Sequence, residues 1–443
     1  MLYRKAIDEM KAWKEEKTHQ GLLVTGARQV GKTTLVRQFA SEEYDVFAEI
    51  NFLETPDAVR LISQARNADD LFLRITALVD KELVTGRSLV LFDEIQEFED
   101  ILTWAKFLLE RTEFDYIFSG SLLGVDLFGV RSWPVGFMDV MEMFPLDFEE
   151  FCLASGIAPS LLDLARQAFL SREPVADFIH AKLMDAFTRY ILVGGLPDAV
   201  QRYVDTNDIN ALRRAHRGIH DLYEYDIVRH MDDREGMRFT KAVYEAIPGQ
   251  LNKENKRFKF TQLRGPEAIH QSNLRFSRME SSFDWLEHAG VALPTLRVDE
   301  PRYSLEMYAS RSAFKLYLND VGLLTSRISG TAPLDILAGR KDLNYGSVYE
   351  NVVAQELKCH GYKLYYYNNT KRGEVDFVIQ NTAQGMVFPI EVKSGKDYKR
   401  HVALGNLLEV RDYSFEQAYV LCNGNVEVRG QIVYLPVYMV AFL

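Results

Sequence analysis

Gly26-Ala27-Arg28-Gln29-Val30-Gly31-Lys32-Thr33 decides the fold of this 443-residue chain. The spacing G-x-x-x-x-G-K-T is that of a phosphate-binding loop, which needs a strand before it and a helix after it. Both flanks are present. Gly21-Leu22-Leu23-Val24-Thr25 reads as a short buried strand, and Thr34-Leu35-Val36-Arg37-Gln38-Phe39-Ala40 carries apolar residues at helical spacing. Glycines let backbone N–H groups close around the β- and γ-phosphates, and the helix N-terminus adds its positive dipole end. Lys32 supplies a point charge to those phosphates and the Thr33 hydroxyl binds Mg²⁺. Gly26 through Thr34 are thus the expected nucleotide-binding run. The fold that follows is α/β, a parallel sheet with helices on both faces.

The second half of a nucleotide site stands about sixty residues on. Ser88-Leu89-Val90-Leu91-Phe92-Asp93-Glu94 is apolar on both faces and ends in two carboxylates, which suits a central parallel strand. Asp93 is expected to hold the Mg²⁺ water shell and Glu94 to polarise the attacking water as general base. Asp115-Tyr116-Ile117-Phe118-Ser119-Gly120-Ser121 is a further buried strand ending in small polar residues, and either Ser119 or Ser121 can sense the γ-phosphate.

A separate constellation lies near the C-terminus. Gly373-Glu374-Val375-Asp376-Phe377-Val378-Ile379 alternates as a strand, with Glu374 and Asp376 on one face. A polar turn over 381–385 leads to Val387-Phe388-Pro389-Ile390-Glu391-Val392-Lys393, where Glu391 and Lys393 share a face. Oxygens of Asp376 and Glu391 suit Mg²⁺ or Mn²⁺. Such an ion lowers the pKa of bound water and stabilises charge on a scissile phosphate. Lys393 is placed to orient that water. The helix expected over 345–357 carries Glu350, a fourth residue for the set, and a further helix is expected over about 400–410. Lys371, Arg372, Lys396, Lys399 and Arg400 surround these residues with positive charge suited to phosphates.

Composition limits the alternatives. At 47% apolar the chain has ample core for about three domains. Its longest uncharged apolar runs fall short of the 18 residues a spanning helix needs, so no membrane role is expected. Cys152, Cys359 and Cys422 are too far apart for a metal pattern and read as reduced thiols of a cytoplasmic protein. The net charge of −11 argues against general coating of DNA. Positive charge is local: between Arg238 and Arg278 stand nine Lys or Arg and three Glu, including Lys253, Lys256, Arg257, Lys259 and Arg264 with Phe258 and Phe260 interleaved. A helix over 277–288 and extended chain over 291–298 follow, an order that suggests a winged helix. Winged helices bind DNA or other proteins, and the basic excess favours nucleic acid.

The segments Thr25–Leu35, Leu91-Phe92-Asp93-Glu94-Ile95-Gln96 and Phe118-Ser119-Gly120-Ser121 together resemble those of an AAA-type P-loop ATPase. More narrowly, the chain is similar to a group of prokaryotic ATPases with a nuclease-like C-terminal domain, a group that the phrase Leu192-Val193-Gly194-Gly195-Leu196-Pro197-Asp198-Ala199-Val200 also matches. Asp376, Glu391 and Lys393 likewise resemble the core of the PD-(D/E)XK nuclease superfamily, whose members often place a metal-binding Glu where Glu350 stands. The resemblance spans essentially the whole chain. It departs at the arginine finger, where Phe128-Gly129-Val130-Arg131 leaves Arg131 as the candidate. It implies an ATPase core over 1–150, a helical lid over 151–235, a winged-helix-like module over 236–330 and a PD-(D/E)XK nuclease-like domain over 331–443. The expected function is Mg²⁺-dependent ATP hydrolysis coupled to nucleic-acid binding, DNA above all, and to metal-dependent cleavage. Sites of this type are completed across a subunit interface, which implies a homo-oligomer. Two alternatives stay open at this point: a regulatory ATPase whose nuclease fold is a platform, and a signalling ATPase that recruits protein partners through the winged helix.

Overall fold

The computed structural model describes residues 2–16, 20–121, 136–229, 231, 234–253, 256–258, 276–328 and 345–443, with the backbone alone described over 276–280. Arg131, Lys259 and Arg264 lie outside the described residues, as does the proline-bearing stretch near 330. The chain divides into two compact units, one of residues 3–144 with 284–290 and one of residues 145–283 with 291–443.

The first unit is built on five parallel strands, β1 (Gly21–Thr25), β2 (Val46–Asn51), β3 (Ser88–Asp93), β4 (Asp115–Ser119) and β5 (Met138–Glu142). Their order is β2-β3-β4-β1-β5, every pairing parallel. All six residues of β3 are buried, as a strand covered on both faces requires. The aromatic rings of Phe92 and Phe118 stack with centroids 5.3 Å apart, and Phe52 stacks on Phe92 at 6.0 Å. One strand, β4, separates β1 from β3. The loops leaving the C-terminal ends of β1, β3 and β4 therefore gather at one sheet edge, where an α/β sheet binds its ligand.

The second unit has a helical part and a sheet. Helices run over Phe148–Ala154, Pro159–Ser171, Asp177–Val193, Pro197–Thr206 and Ile209–Arg229, in the region expected to be helical. These helices share the second unit's packing. His180 Nδ1 lies 3.2 Å from the Tyr438 hydroxyl, and the Tyr190 hydroxyl donates to Glu356 at 2.8 Å. The division between the two units falls at 144/145.

The sheet has eight strands: β6 (Ala292–Val298), β7 (Ala309–Leu318), β8 (Tyr365–Asn369), β9 (Gly373–Asn381), β10 (Met386–Val392), β11 (Ala418–Cys422), β12 (Glu427–Arg429) and β13 (Ile432–Pro436). Their order is β12-β13-β11-β10-β9-β8-β6-β7. The extended chain at 292–298, expected as the wing of a separate module, is β6 of this sheet. It pairs parallel with β8, Leu296 opposite Tyr365, and antiparallel with β7. Strands from both sides of residues 330/331 share this sheet. An apolar strand with unpaired N–H and C=O groups along both edges is satisfied by whichever strand approaches, however distant in sequence.

The Gly194-Gly195 pair earlier in this unit has a structural reason. Gly194 has φ +73°, and a Cβ there would overlap the Asp320 carboxylate. The Gly195 N–H donates to Asp320 Oδ2 at 2.6 Å, and Oδ1 accepts from Leu323 N–H at 2.9 Å as the N-cap of the helix Val321–Arg327. Burial lifts the Asp320 carboxyl to about 6 against the pull of those backbone donors. Replacing Asp320 by Ala leaves at least two buried N–H groups unpaired, so a loss of about 3 kcal/mol is expected. The check is the urea midpoint of unfolding, with Asp320→Glu as comparison; an unmoved midpoint for Asp320→Ala removes the assignment.

Candidate functional site

The first site forms around Asp93 at the end of β3. Thr33 Oγ1 donates to Asp93 Oδ2 at 3.0 Å, Asn51 Nδ2 donates to the same oxygen at 3.1 Å, and Ser119 Oγ donates to Oδ1. The Thr33 hydroxyl and the Asp93 carboxylate are thus two hard oxygen donors at one point, which fits a hydrated Mg²⁺. Burial raises the Asp93 carboxyl above its ordinary value and neighbouring Glu94 adds to this, while the Ser119 and Thr33 hydroxyls oppose it. Glu94 sits at φ +55° where β3 leaves the sheet, and its Oε2 accepts from Gln96 Nε2. A non-glycine residue in the left-handed region costs roughly 1–3 kcal/mol and is held only where surrounding structure enforces it.

The loop itself has the required shape. Gly26 has φ +131° and a Cβ there would overlap the Met143 carbonyl, so only glycine brings the chain this close to its neighbour. Lys32 Nζ donates to the carbonyls of Gly26 and Ala27, both at 2.9 Å, and to Ser121 Oγ at 2.8 Å. The two serines therefore separate: Ser119 serves Asp93 and Ser121 serves Lys32. Arg4 clamps the loop from the other side, Nη1 donating to the Val30 carbonyl at 2.8 Å and Nη2 to the Phe144 carbonyl at 2.7 Å. Neither Arg4 nor Asn51 was legible from the sequence, since each acts across 26 or more residues on a group with no local signature.

Burial depresses Lys32 to about 8, against the opposing pull of Glu94 and Asp93. The ammonium is the form that binds phosphate, and it is lost as pH rises through that value. Affinity for a nucleoside triphosphate is expected to fall by about tenfold between pH 7 and pH 9. Fluorescent-nucleotide titration across this range checks it, and a flat profile would contradict the assignment.

The second site lies between one face of the eight-stranded sheet and the helix Tyr345–Cys359, in the second unit. Ile390 pairs with Phe377, so Glu391 stands opposite Asp376 on neighbouring antiparallel strands. Asp376 Oδ2 accepts from the Val392 N–H at 2.9 Å, and Lys393 Nζ donates to Glu391 Oε1 at 2.6 Å. The polar turn and the helix Val402–Leu408 fall where the sequence places them. Glu350, on its helix, meets the same group of charges. Its Oε1 is paired with Lys256 Nζ, while its Oε2 accepts from the Tyr317 hydroxyl at 3.0 Å and lies 3.9 Å from Lys315 Nζ. Lys315, fully buried, also pairs with Glu374 at 2.7 Å.

Electrostatics follow from that arrangement. Burial and the nearby charges of Glu350 and Glu391 push the Asp376 carboxyl well above the usual range. Glu350 goes the other way: burial opposes its charge, but Lys315 and Lys256 outweigh it. Burial lifts Glu391 despite Lys393. Among the described residues no three His, Cys, Asp or Glu are grouped as a ready metal cage. The donor set still offers a partial seat, because Glu391 Oε2 is buried with no hydrogen-bond partner. Asp376 and Glu391 thus fit a divalent cation, whereas both oxygens of Glu350 are engaged. Lys315 and Tyr317 were missed by sequence reading. Their signal was a lysine set two residues from a tyrosine in the apolar run Phe314-Lys315-Leu316-Tyr317-Leu318.

Lys256 was expected among phosphate contacts, and here it is ion-paired to Glu350. Among the described residues Cys152, Cys359 and Cys422 form no disulfide, and Cys152 and Cys422 are buried. No helix of the described residues is long and apolar enough to cross a membrane.

With these geometries in hand, comparison places residues 18–152 in an AAA domain, residues 184–333 in a domain of unknown function (DUF8612) and residues 345–440 in another (DUF4143). No functionally curated protein matches the chain. Among solved structures, a Walker-type ATPase of Pyrococcus abyssi is 16% identical, with 74% of this chain and 95% of that chain covered and a TM-score of 0.43. The Thermotoga maritima RuvB Holliday junction branch migration motor is 14% identical over 66% of this chain and 89% of that chain, at TM-score 0.29. The Aeropyrum pernix ORC1 protein in complex with DNA is 12% identical over 77% and 93%, at TM-score 0.28. At such scores the reading rests on the chain's own residues. The protein carries an AAA-type P-loop ATPase domain and is an ATPase.

Proposed function

We propose that this ATPase couples Mg²⁺-dependent ATP hydrolysis to binding of nucleic acid, and that its second unit cleaves nucleic acid with a divalent cation. In this reading Gly26 to Thr34 cradle the phosphates, Thr33 and Asp93 hold Mg²⁺, and Glu94 takes the proton of the attacking water. Ser121, through Lys32, and Ser119, through Asp93, report the γ-phosphate to the loop. The single observation behind the cleavage reading is the ladder that ends with Ile390 opposite Phe377, one step from Glu391 and Asp376, with Lys393 on the Glu391 carboxylate at 2.6 Å. A cation held by Asp376 and Glu391 supplies Lewis-acid activation of water. Lys393 fixes the carboxylate that orients this water. Lys396, Lys399 and Arg400, which line an open cavity beyond β10, take the phosphate backbone. In this reading the protein forms a homo-oligomer, and a neighbouring copy supplies an arginine to the nucleotide site.

The experiment is incubation of the purified full chain with labelled linear, branched and circular DNA, with and without Mg²⁺, Mn²⁺ and ATP. Cut product in Mn²⁺ is the expected result. Salt-sensitive binding without cleavage selects a second reading, a regulatory ATPase using the second unit as a platform. The full engagement of Glu350 by Lys256 and Tyr317 is the observation that favours that second reading.

A further inference from the structure

The acidic centre of the second unit carries its own counter-ions. Glu350, Glu374, Asp376 and Glu391 face Lys256, Lys315 and Lys393, and each lysine is paired to a named carboxylate. Two of the three lysines are built into the sheet. Lys315 sits within β7, wholly buried. Lys393 follows β10 directly, its N–H donating to the Leu421 carbonyl of β11 at 2.8 Å. Neither leaves without unpairing strands.

Lys256 differs in its anchorage. It belongs to the segment 256–258, laid against β7, the last strand at one edge of the sheet. Phe258 N–H donates to the Phe314 carbonyl at 2.9 Å, Arg257 Nη2 donates to the Ser312 carbonyl at 3.0 Å, and the Phe258 ring stacks on Phe314 at 6.0 Å. An edge segment lifts away without opening the ladder beneath it. Its ammonium reaches Glu350 across 94 residues of sequence.

We propose that Lys256 is an internal counter-ion that competes with a divalent cation for Glu350, so that the centre completes its metal seat only when the segment bearing Lys256 withdraws. This rests on the reading of Asp376 and Glu391 as metal-holding residues. The chemistry supports competition rather than coexistence. A divalent ion bound by Asp376 and Glu391 draws in the nearest further carboxylate, and both Glu350 oxygens are taken, one by Lys256 and one by Tyr317. Glu391 Oε2, buried and without a hydrogen-bond partner, is the oxygen left for an incoming cation. Four carboxylates face three ammonium groups here, so the centre is neutralised only in part by its own residues. Lys253, Lys256 and Arg257 against Glu254 leave residues 253–257 a net positive charge, so the withdrawing segment is one that a polyanion attracts. Lys256 neutralises Glu350 or a phosphate but not both. Polyanion binding and cation binding at Glu350 are then reciprocally favourable.

The test is titration of full-length protein, free of nucleotide, with Mn²⁺ followed by the paramagnetic resonance of the free ion. Glu391→Gln identifies the ions held at this centre. Lys256→Gln is expected to bind Mn²⁺ there at least about tenfold more tightly than the wild type, as loss of a competing cation demands. Lys253→Gln is expected to leave the affinity unchanged. Lys256→Met, which keeps the apolar stem, stands in if Lys256→Gln melts early. Equal affinities in wild type and Lys256→Gln, with binding still lost in Glu391→Gln, overturn the counter-ion role and leave the metal reading standing. Mn²⁺ binding that Glu391→Gln does not reduce in any variant overturns the metal reading and this proposal with it.

Discussion

Glu94→Gln is expected to keep nucleotide binding and lose ATP hydrolysis by about a hundredfold or more, the usual cost of removing a general base. The reason is chemical and local. Glu94 stands at φ +55° immediately after Asp93, so the strand that delivers the metal-binding carboxylate also delivers the base to the same sheet edge. A glutamine keeps the length of the side chain and the hydrogen-bonding reach toward Gln96, but its amide accepts no proton from water. The phosphate cradle and the Thr33–Asp93 pair are untouched, so binding is kept, weakened only by the loss of Glu94's pull on the Lys32 ammonium. Phosphate release gives the rate and fluorescent-nucleotide titration gives the affinity. Hydrolysis at the wild-type rate would show that another group acts as base. Lys32→Ala should behave differently, weakening binding itself, because it removes the one buried ammonium at the phosphates and leaves the Gly26 and Ala27 carbonyls and the Ser121 hydroxyl without their donor.

The second large effect is expected in the other unit. Asp376→Ala should abolish divalent-dependent cleavage of nucleic acid and leave ATP hydrolysis largely intact. Asp376 sits among buried carboxylates with Glu391 opposite, and its charge is held there only at the cost of burial and repulsion. Lys315, Lys256 and the Val392 N–H offset part of that cost, and a divalent cation would offset more. Removing it takes one of the two oxygen-bearing side chains that face the expected ion. Lys393→Ala should reduce cleavage yet retain Mn²⁺ binding, because Lys393 holds the Glu391 carboxylate and is not itself a ligand of the ion. Gel assays of labelled DNA in Mn²⁺, beside phosphate-release assays on the same preparations, separate the two activities. Cleavage that survives Asp376→Ala would move the chemistry elsewhere. Joint loss of cleavage and ATP hydrolysis would mean that the variant disturbs more than its own unit.

The basic segment expected to contact phosphates divides in two. Lys256 is occupied within the protein, so a fourfold charge reversal over Lys253, Lys256, Arg257 and Lys259 would set a carboxylate against Glu350 and confound binding with repulsion. Reversing Lys253 alone avoids this.

Sequence alone determined the parts whose shape is made by consecutive residues. The run from Gly26 to Thr34 dictates a loop by its glycines and a helix by the residues after it. The apolar stretch ending in Asp93-Glu94 dictates a buried strand with two carboxylates at its end. Alternation around Asp376 and Glu391, with a polar turn between, dictates a hairpin, and the two strands pair antiparallel with Ile390 opposite Phe377. What tertiary structure decided are meetings between distant segments. Ser121 rather than Ser119 serves Lys32, across 89 residues, because β4 is inserted beside β1. Asp320 fills the space left by Gly194 across more than a hundred residues. The strand over 292–298, which looks like the wing of a separate module, joins β8 because open strand edges accept any compatible partner. Lys256 and Lys315 reach Glu350 only through that sheet. Local motifs are fixed by dihedral preference and side-chain period, which a sequence displays directly. The neutralisation of a buried carboxylate depends on which cation the chain's path brings within a few ångströms, and no spacing in the sequence records that path.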